Sequence, residues 1–269
     1  MEQLTFSACV KKSWGSTWQA IVQMPGLLLG SCAVFACITL LSGSFQHTAA
    51  ESAELDAATR TSHAMIHMAL SILQLLVSGC LTIKVHRFVL LGERSQPLVP
   101  LGGKPLARYA FFAFSQVFLG MLVALVFILP LYLARQHMET RLGFIAMIAA
   151  LLFVYGFIAM RLCLLYPAIA LGTRLKLRAA WNDSRGHVWS IWAVSFVTSL
   201  LPMLVLFVPV LIVTVRHAKA GDTNSASGFA IGLALSDALM SALFIVLAAA
   251  AVSWLYRRYA NQLRDTLAQ

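Results

Sequence analysis

The chain has 269 residues, 60% of them hydrophobic and 11% charged, with a formal net charge of +10 at pH 7 and a mean hydropathy of +0.82. Soluble domains carry about 25% charged and about 45–50% apolar residues, so this composition excludes a water-soluble globule and makes the bilayer the solvent. The basic residues sit at the ends of apolar segments and do not alternate with stacking aromatics, which excludes nucleic acid as a partner and points to lipid headgroups.

A spanning helix needs roughly 20 mostly apolar residues. The first such segment runs from about Gly26 to Gly43, after a stretch holding Lys11, Lys12, Trp14 and Trp18. The length of that stretch and of the apolar run reads as a retained helix, not a cleaved signal peptide. A polar stretch from Phe45 to Ser62, with Glu51, Glu54, Asp56 and Arg60, leads to a second span over about Ala64–Ile83. Lys84-Val85-His86-Arg87 then opens a basic loop with Arg94, Lys104 and Arg108, made irregular by Pro97, Pro100, Gly102, Gly103 and Pro105. The third span covers about Tyr109–Leu133 and the fourth about Leu142–Met160, with Arg135, Glu139 and Arg141 near the turn between them. Arg161 begins the longest basic stretch, through Arg174, Lys176, Arg178 and Arg185. A fifth span over about Val188–Val215 contains Pro202 and Pro209, which predict kinks. A loop from Arg216 to Ser227 precedes the sixth span, about Gly228–Trp254, and Tyr256-Arg257-Arg258-Tyr259 follows it.

The predicted fold is therefore an all-α membrane protein, a single integral domain over residues 1–269 with six transmembrane helices in three hairpins and amphipathic segments at the interface. Arg60, Arg135, Arg141, Arg216 and Lys219 lie on one side, and the other 15 of the 20 Lys and Arg residues on the other. The richer side is expected to be cytoplasmic, with both termini inside. All six tryptophans, Trp14, Trp18, Trp181, Trp189, Trp192 and Trp254, fall at that same boundary, where an amphipathic ring prefers to sit. A hairpin recurs at a spacing of roughly 80 residues, as the starts near Gly26, Tyr109 and Val188 show. Val10-Lys11-Lys12-Ser13-Trp14 and Leu177-Arg178-Ala179-Ala180-Trp181 stand before two of the hairpins. Both pieces suit a helix in the headgroup plane, or plain interfacial anchoring. Cys9, Cys32, Cys37, Cys80 and Cys163 show no CxxC spacing and read as small apolar fillers.

Two stretches carry a family likeness. Val85-His86-Arg87-Phe88-Val89-Leu90-Leu91-Gly92-Glu93 follows the second span, and Arg161-Leu162-Cys163-Leu164-Leu165-Tyr166-Pro167-Ala168-Ile169-Ala170-Leu171-Gly172 follows the fourth, with Ala180-Trp181 to Arg185-Gly186 after it. In these the chain resembles bacterial six-helix inner-membrane proteins related to the membrane domain of glycerophosphodiester phosphodiesterases. The resemblance implies a bacterial inner membrane and no catalytic residues, since the phosphodiesterase site belongs to a separate soluble domain.

Asp237 is the sharpest single feature, an acid inside the sixth span. A charge in lipid costs several kcal/mol, so such a residue faces the bundle interior or water. Gln74, Thr198 and Ser199 are expected at similar depth, and with Asp237 they would form a buried polar layer, either as a proton or ion site in a transport path or as interhelical glue. Gly228, Gly232 and Ser236 make a small-xxx-small face that predicts close packing of another helix. His63 and His67, spaced i, i+4, would suit a zinc or copper ion, with His47 or Glu51 as a third ligand, although two interfacial histidines serve equally as anchors. No metal or other cofactor is expected. No nucleophile elbow, Walker loop or HExxH motif is present; an enzyme acting on lipid headgroups would rest on Arg87, Glu93, Arg161 and Asp183. The sequence thus points first to a non-enzymatic protein that organises or supports envelope components. A small transporter or exporter using Asp237 comes second, and a lipid-modifying enzyme last. Its partners would be membrane lipids, and a second copy or other envelope proteins.

Overall fold

Nothing in the hydrocarbon layer can pair a backbone N–H or C=O except the segment itself, so apolar runs of this length fold as helices. The computed structural model describes residues 5–51, 57–94, 103–134, 141–173, 176–220 and 226–265, with side chains outside the description at 45–51, 57–60, 127–134, 141–145, 200, 216–220, 226–227 and 264–265. Among the described residues there is helix and no strand. Six segments are long and apolar enough to cross a membrane: Pro25–Ser44, Thr61–Leu91, Lys104–Val126, Ala146–Ala170, Val188–Val215 and Gly228–Tyr259. The protein is an all-α, multi-pass membrane protein.

Helix α1 (Phe6–Gln23) is not a span. Thr5 caps it by accepting from the Ala8 N–H, as an N-cap hydroxyl does. Cys9, Val10, Ser13, Thr17 and Ala20 form its buried stripe, whereas Trp14, Trp18 and Val22 stay exposed. This is an amphipathic helix laid on the bundle with its tryptophans turned outward. Helices α2 (Pro25–Glu51) and α3 (Ala57–Leu91) follow. The second span was expected to stop at Ile83, yet α3 continues through Lys84–Arg87 to Leu91. The polar groups there are absorbed rather than exposed as loop: His86 is buried and bonded to Ser253, Arg87 pairs with Glu93, and Gly92 at φ 73° ends the helix. Glycine takes that left-handed conformation without strain, and Arg257 bonds the last carbonyls, Val89 O at 2.8 Å and Leu90 O at 3.1 Å.

Next come α4 (Lys104–Ala134), α5 (Arg141–Leu162) and three short helices, α6 (Leu165–Ala170), α7 (Leu177–Asp183) and α8 (Val188–Ser195). The chain then makes one π-helical stretch, Phe196–Leu200, before α9 (Leu201–Ala220), α10 (Ala226–Tyr259) and α11 (Gln262–Asp265). Pro202 explains the π stretch. In α-helical register the Thr198 carbonyl would take the N–H of residue 202, and proline has none. The indole of Trp14 supplies the missing donor, Nε1 to Thr198 O at 3.2 Å, and so ties α1 to the distorted span. Pro209 lies inside α9.

The core is organised around α10. Half of its most apolar window, 50%, lies inside the protein, against 12% for the fifth span, which makes α10 the central post. Ala234, Ala238, Ala242, Ala249 and Ala250 are buried on it, small enough for α2 and α3 to approach closely. Leu27 and Phe35 of α2 and Val77, Leu81 and Val85 of α3 fill the space against them. A second cluster gathers Leu164, Leu165, Ile169, Ile191, Leu255 and Leu263 at the end of the bundle that carries the tryptophans.

Candidate functional site

An acidic side chain faces open space in the apolar part of the bundle. Asp237, on α10, is exposed and lines a half-open cavity of about 840 Å³ between α2, α9 and α10. Thr39 Oγ1 of α2 donates to its Oδ2 at 3.2 Å. The rest of the described wall is largely apolar, including Leu40, Met203, Phe207, Met240 and Phe244, and no lysine, arginine or histidine is among it. The hydroxyls of Ser44 and Ser236 also line the space but donate back to their own helices, to Leu41 O and Gly232 O, both at 2.8 Å. Asp237 is thus the one charged group of the cavity among the described residues. Its volume falls in the range of about 300–1,000 Å³ typical of small-molecule sites.

The structure does not assemble the polar layer expected from depth along the spans. Gln74 is exposed on α3 and does not line the cavity. Thr198 and Ser199 are buried, but they belong to the π stretch, where the Thr198 carbonyl answers to Trp14. Depth alone carries no information about which way a side chain points, and the partner of Asp237 is Thr39. The small face on α10 has no close neighbour at its two glycines among the described residues of the chain. A Cβ added at Gly228 or Gly232 would meet nothing within 4 Å, so these two glycines contact open space, and the packed small residues are the alanines one face further round. His63 and His67 are half-buried near the start of the second span; the side chains of His47 and Glu51 lie outside the described residues. Among the described residues no three His, Cys, Asp or Glu side chains are grouped to hold a metal ion.

At the tryptophan-bearing end, polar side chains are consumed by the fold. Arg87 grips Glu93 with two bonds, Nε to Oε2 at 2.7 Å and Nη2 to Oε1 at 3.0 Å. Hydrogen bonding from Arg87 holds the Glu93 carboxyl below the usual carboxylate range. Arg161 lies over the Trp181 ring, 4.6 Å from its centroid, and donates to Trp181 O. The Asp183 carboxylate accepts from Gln262 N and Leu263 N, both at 3.1 Å, a cap on the positive end of α11. Lys12 and Arg257 flank the Trp254 ring, whose Nε1 donates to Ser16 Oγ at 3.0 Å. None of Arg87, Glu93, Arg161 and Asp183 lines the cavity.

Comparison with protein-family models, curated proteins and solved structures finds no match to this chain. The cavity must be read from its own chemistry. The residues that sequence reading missed are Thr39 and the walls supplied by Phe207 and Phe244. Thr39 had a signal, as one of three hydroxyls in the apolar run of the first span, with Ser31 and Ser42; the phenylalanines had none, since any span contains such side chains.

Proposed function

We propose that this multi-pass membrane protein is a small-molecule carrier, a transporter or exporter whose binding site is the cavity between α2, α9 and α10 and whose charged group is Asp237. The observation that carries the reading is the cavity itself. A protein that only organises neighbours needs a solid bundle, whereas a carrier needs ligand-sized space reaching its polar group. The π stretch at Phe196–Leu200 supports it further. Such stretches often mark functional positions in helices, and this one hinges the span that supplies Met203 and Phe207 to the cavity. The engagement of Arg87, Glu93, Arg161 and Asp183 in structural contacts supports a non-enzymatic role. The charge asymmetry of the loops supports an orientation with both termini cytoplasmic, and the family resemblance supports a bacterial inner membrane as its location.

The open Gly228 and Gly232 positions favour a second reading, contact with another copy or another envelope protein. One experiment separates the two. In a chain whose five native cysteines are replaced, Met240→Cys is treated with a water-soluble maleimide in right-side-out and in inverted vesicles. A carrier is labelled in both. Labelling in neither orientation removes the carrier reading and leaves the scaffold.

A further inference from the structure

We infer that the ligand of this cavity is a lipophilic organic monocation, an amine or quaternary onium centre carrying bulky apolar groups. The inference rests on the carrier reading above and names its substrate class. It starts from charge. Asp237 is the single charged side chain of the described wall, and Thr39 occupies one of the roughly four acceptor positions of its carboxylate. With no basic residue among the described residues of the wall, the counter-charge comes from what binds, because an unpaired carboxylate among apolar groups is costly. One carboxylate sets one positive charge.

Chemistry then separates the cations. Calcium takes about six to eight oxygen ligands and magnesium holds an ordered octahedron of them. The wall offers one carboxylate and the hydroxyls of Thr39, Ser44, Ser236 and Ser241; Thr39 donates to that carboxylate, while Ser44 and Ser236 donate to their own helices, so no ordered shell of oxygens is gathered around Asp237 among the described residues. A bare metal ion would also leave the rest of the 840 Å³ as water against apolar walls. An organic cation satisfies both demands, its charge on Asp237 and its apolar body against the walls. Phe207 and Phe244 line the same space, and aromatic rings suit an onium charge. Met203 and Met240 supply unbranched, polarisable thioethers that adapt to differently shaped bodies. An anionic ligand of the same shape would meet like charge at Asp237.

The test uses the full chain in nanodiscs of phosphatidylcholine, which contributes no net charge, with equilibrium dialysis against tetraphenylphosphonium and its isosteric anion tetraphenylborate. The expected result is one saturable phosphonium site per protein and no saturable borate site. Asp237→Glu keeps the site, and Asp237→Asn weakens it at least tenfold. Saturable borate binding as tight as phosphonium binding overturns the inference, and this comparison needs the wild-type protein alone. Equal phosphonium affinity in wild type and a folded, monodisperse Asp237→Asn also overturns it. If either occurs while Met240→Cys is labelled from both faces, the carrier reading stands and only the ligand class falls.

Discussion

Removing one N–H from α1 should loosen the fifth span, and the structure says by how much. Trp14→Phe keeps an aromatic ring in place but deletes the donor that reaches Thr198 O at 3.2 Å. That carbonyl has lost its α-helical partner to Pro202, so the variant removes the side-chain donor that reaches it. A typical net hydrogen bond contributes about 0.5–1.5 kcal/mol, and stranding a buried acceptor costs about 1–3 kcal/mol. Trp14 is 39% exposed, so water or headgroups partly rescue the site, and a loss near 1 kcal/mol is expected, about fivefold in the unfolding constant. The assay is equilibrium unfolding in mixed micelles of rising dodecyl sulfate content. The decisive control is Pro202→Ala, which restores an N–H at residue 202. In that background Trp14→Phe should cost close to nothing, a coupling of about 1 kcal/mol across the double-mutant cycle. An equal loss in both backgrounds would refute the link between the proline and the indole.

Four further outcomes follow from the geometry. Gly79→Ala would set a Cβ 2.7 Å from Cδ1 of the buried Tyr109 ring and should destabilise by about 1–3 kcal/mol, whereas Gly232→Ala, with nothing within 4 Å, should stay within about 0.5 kcal/mol; the same micelle unfolding reads both. Ser253→Ala deprives the buried His86 Nδ1 of its 2.7 Å partner and should cost about 1–3 kcal/mol, seen as a lower thermal midpoint in detergent. Asp183→Ala removes the cap shared by Gln262 and Leu263, about 1–2 kcal/mol locally, so hydrogen exchange should accelerate at these two amides and not in α10. Because Arg87 holds Glu93 below its ordinary range, that pair contributes fully above a pH of about 4.3 and fades as pH falls through the lower folded value; intrinsic-rate-corrected exchange at Gly92–Arg94 should be level from pH 7 to 5 and rise below about 4, with no such rise in Glu93→Gln.

The six spans were legible because each is a continuous apolar run, and hydropathy needs nothing else. The end of α3 was not, since Lys84 and Arg87 look like loop residues until His86 is seen to turn inward onto Ser253 on a helix more than 150 residues away. Asp237 stood out as an intramembrane acid, but its surroundings depended on rotation about the helix axis. A 3.6-residue turn carries Ala234, Ala238 and Ala242 into the core while Asp237 and Gly232 face outward. In water that rotation would be written as an amphipathic stripe. In lipid both faces are apolar and the stripe disappears, so the eye settles on Gly228 and Gly232 where the packing is done by alanines.

The central place of α10 has a consequence for assembly in time. The helices that pack on it include α1, α2 and α3, whose last residue is Leu91, while α10 begins at Ala226. At a synthesis rate of about 5–20 residues per second, roughly ten seconds separate the insertion of the early hairpin from the arrival of its principal partner. During that interval the inward groups of the hairpin, His86 and Ser31 among them, face lipid or the insertion machinery. The native bundle closes only when its sixth span threads between helices already in the membrane.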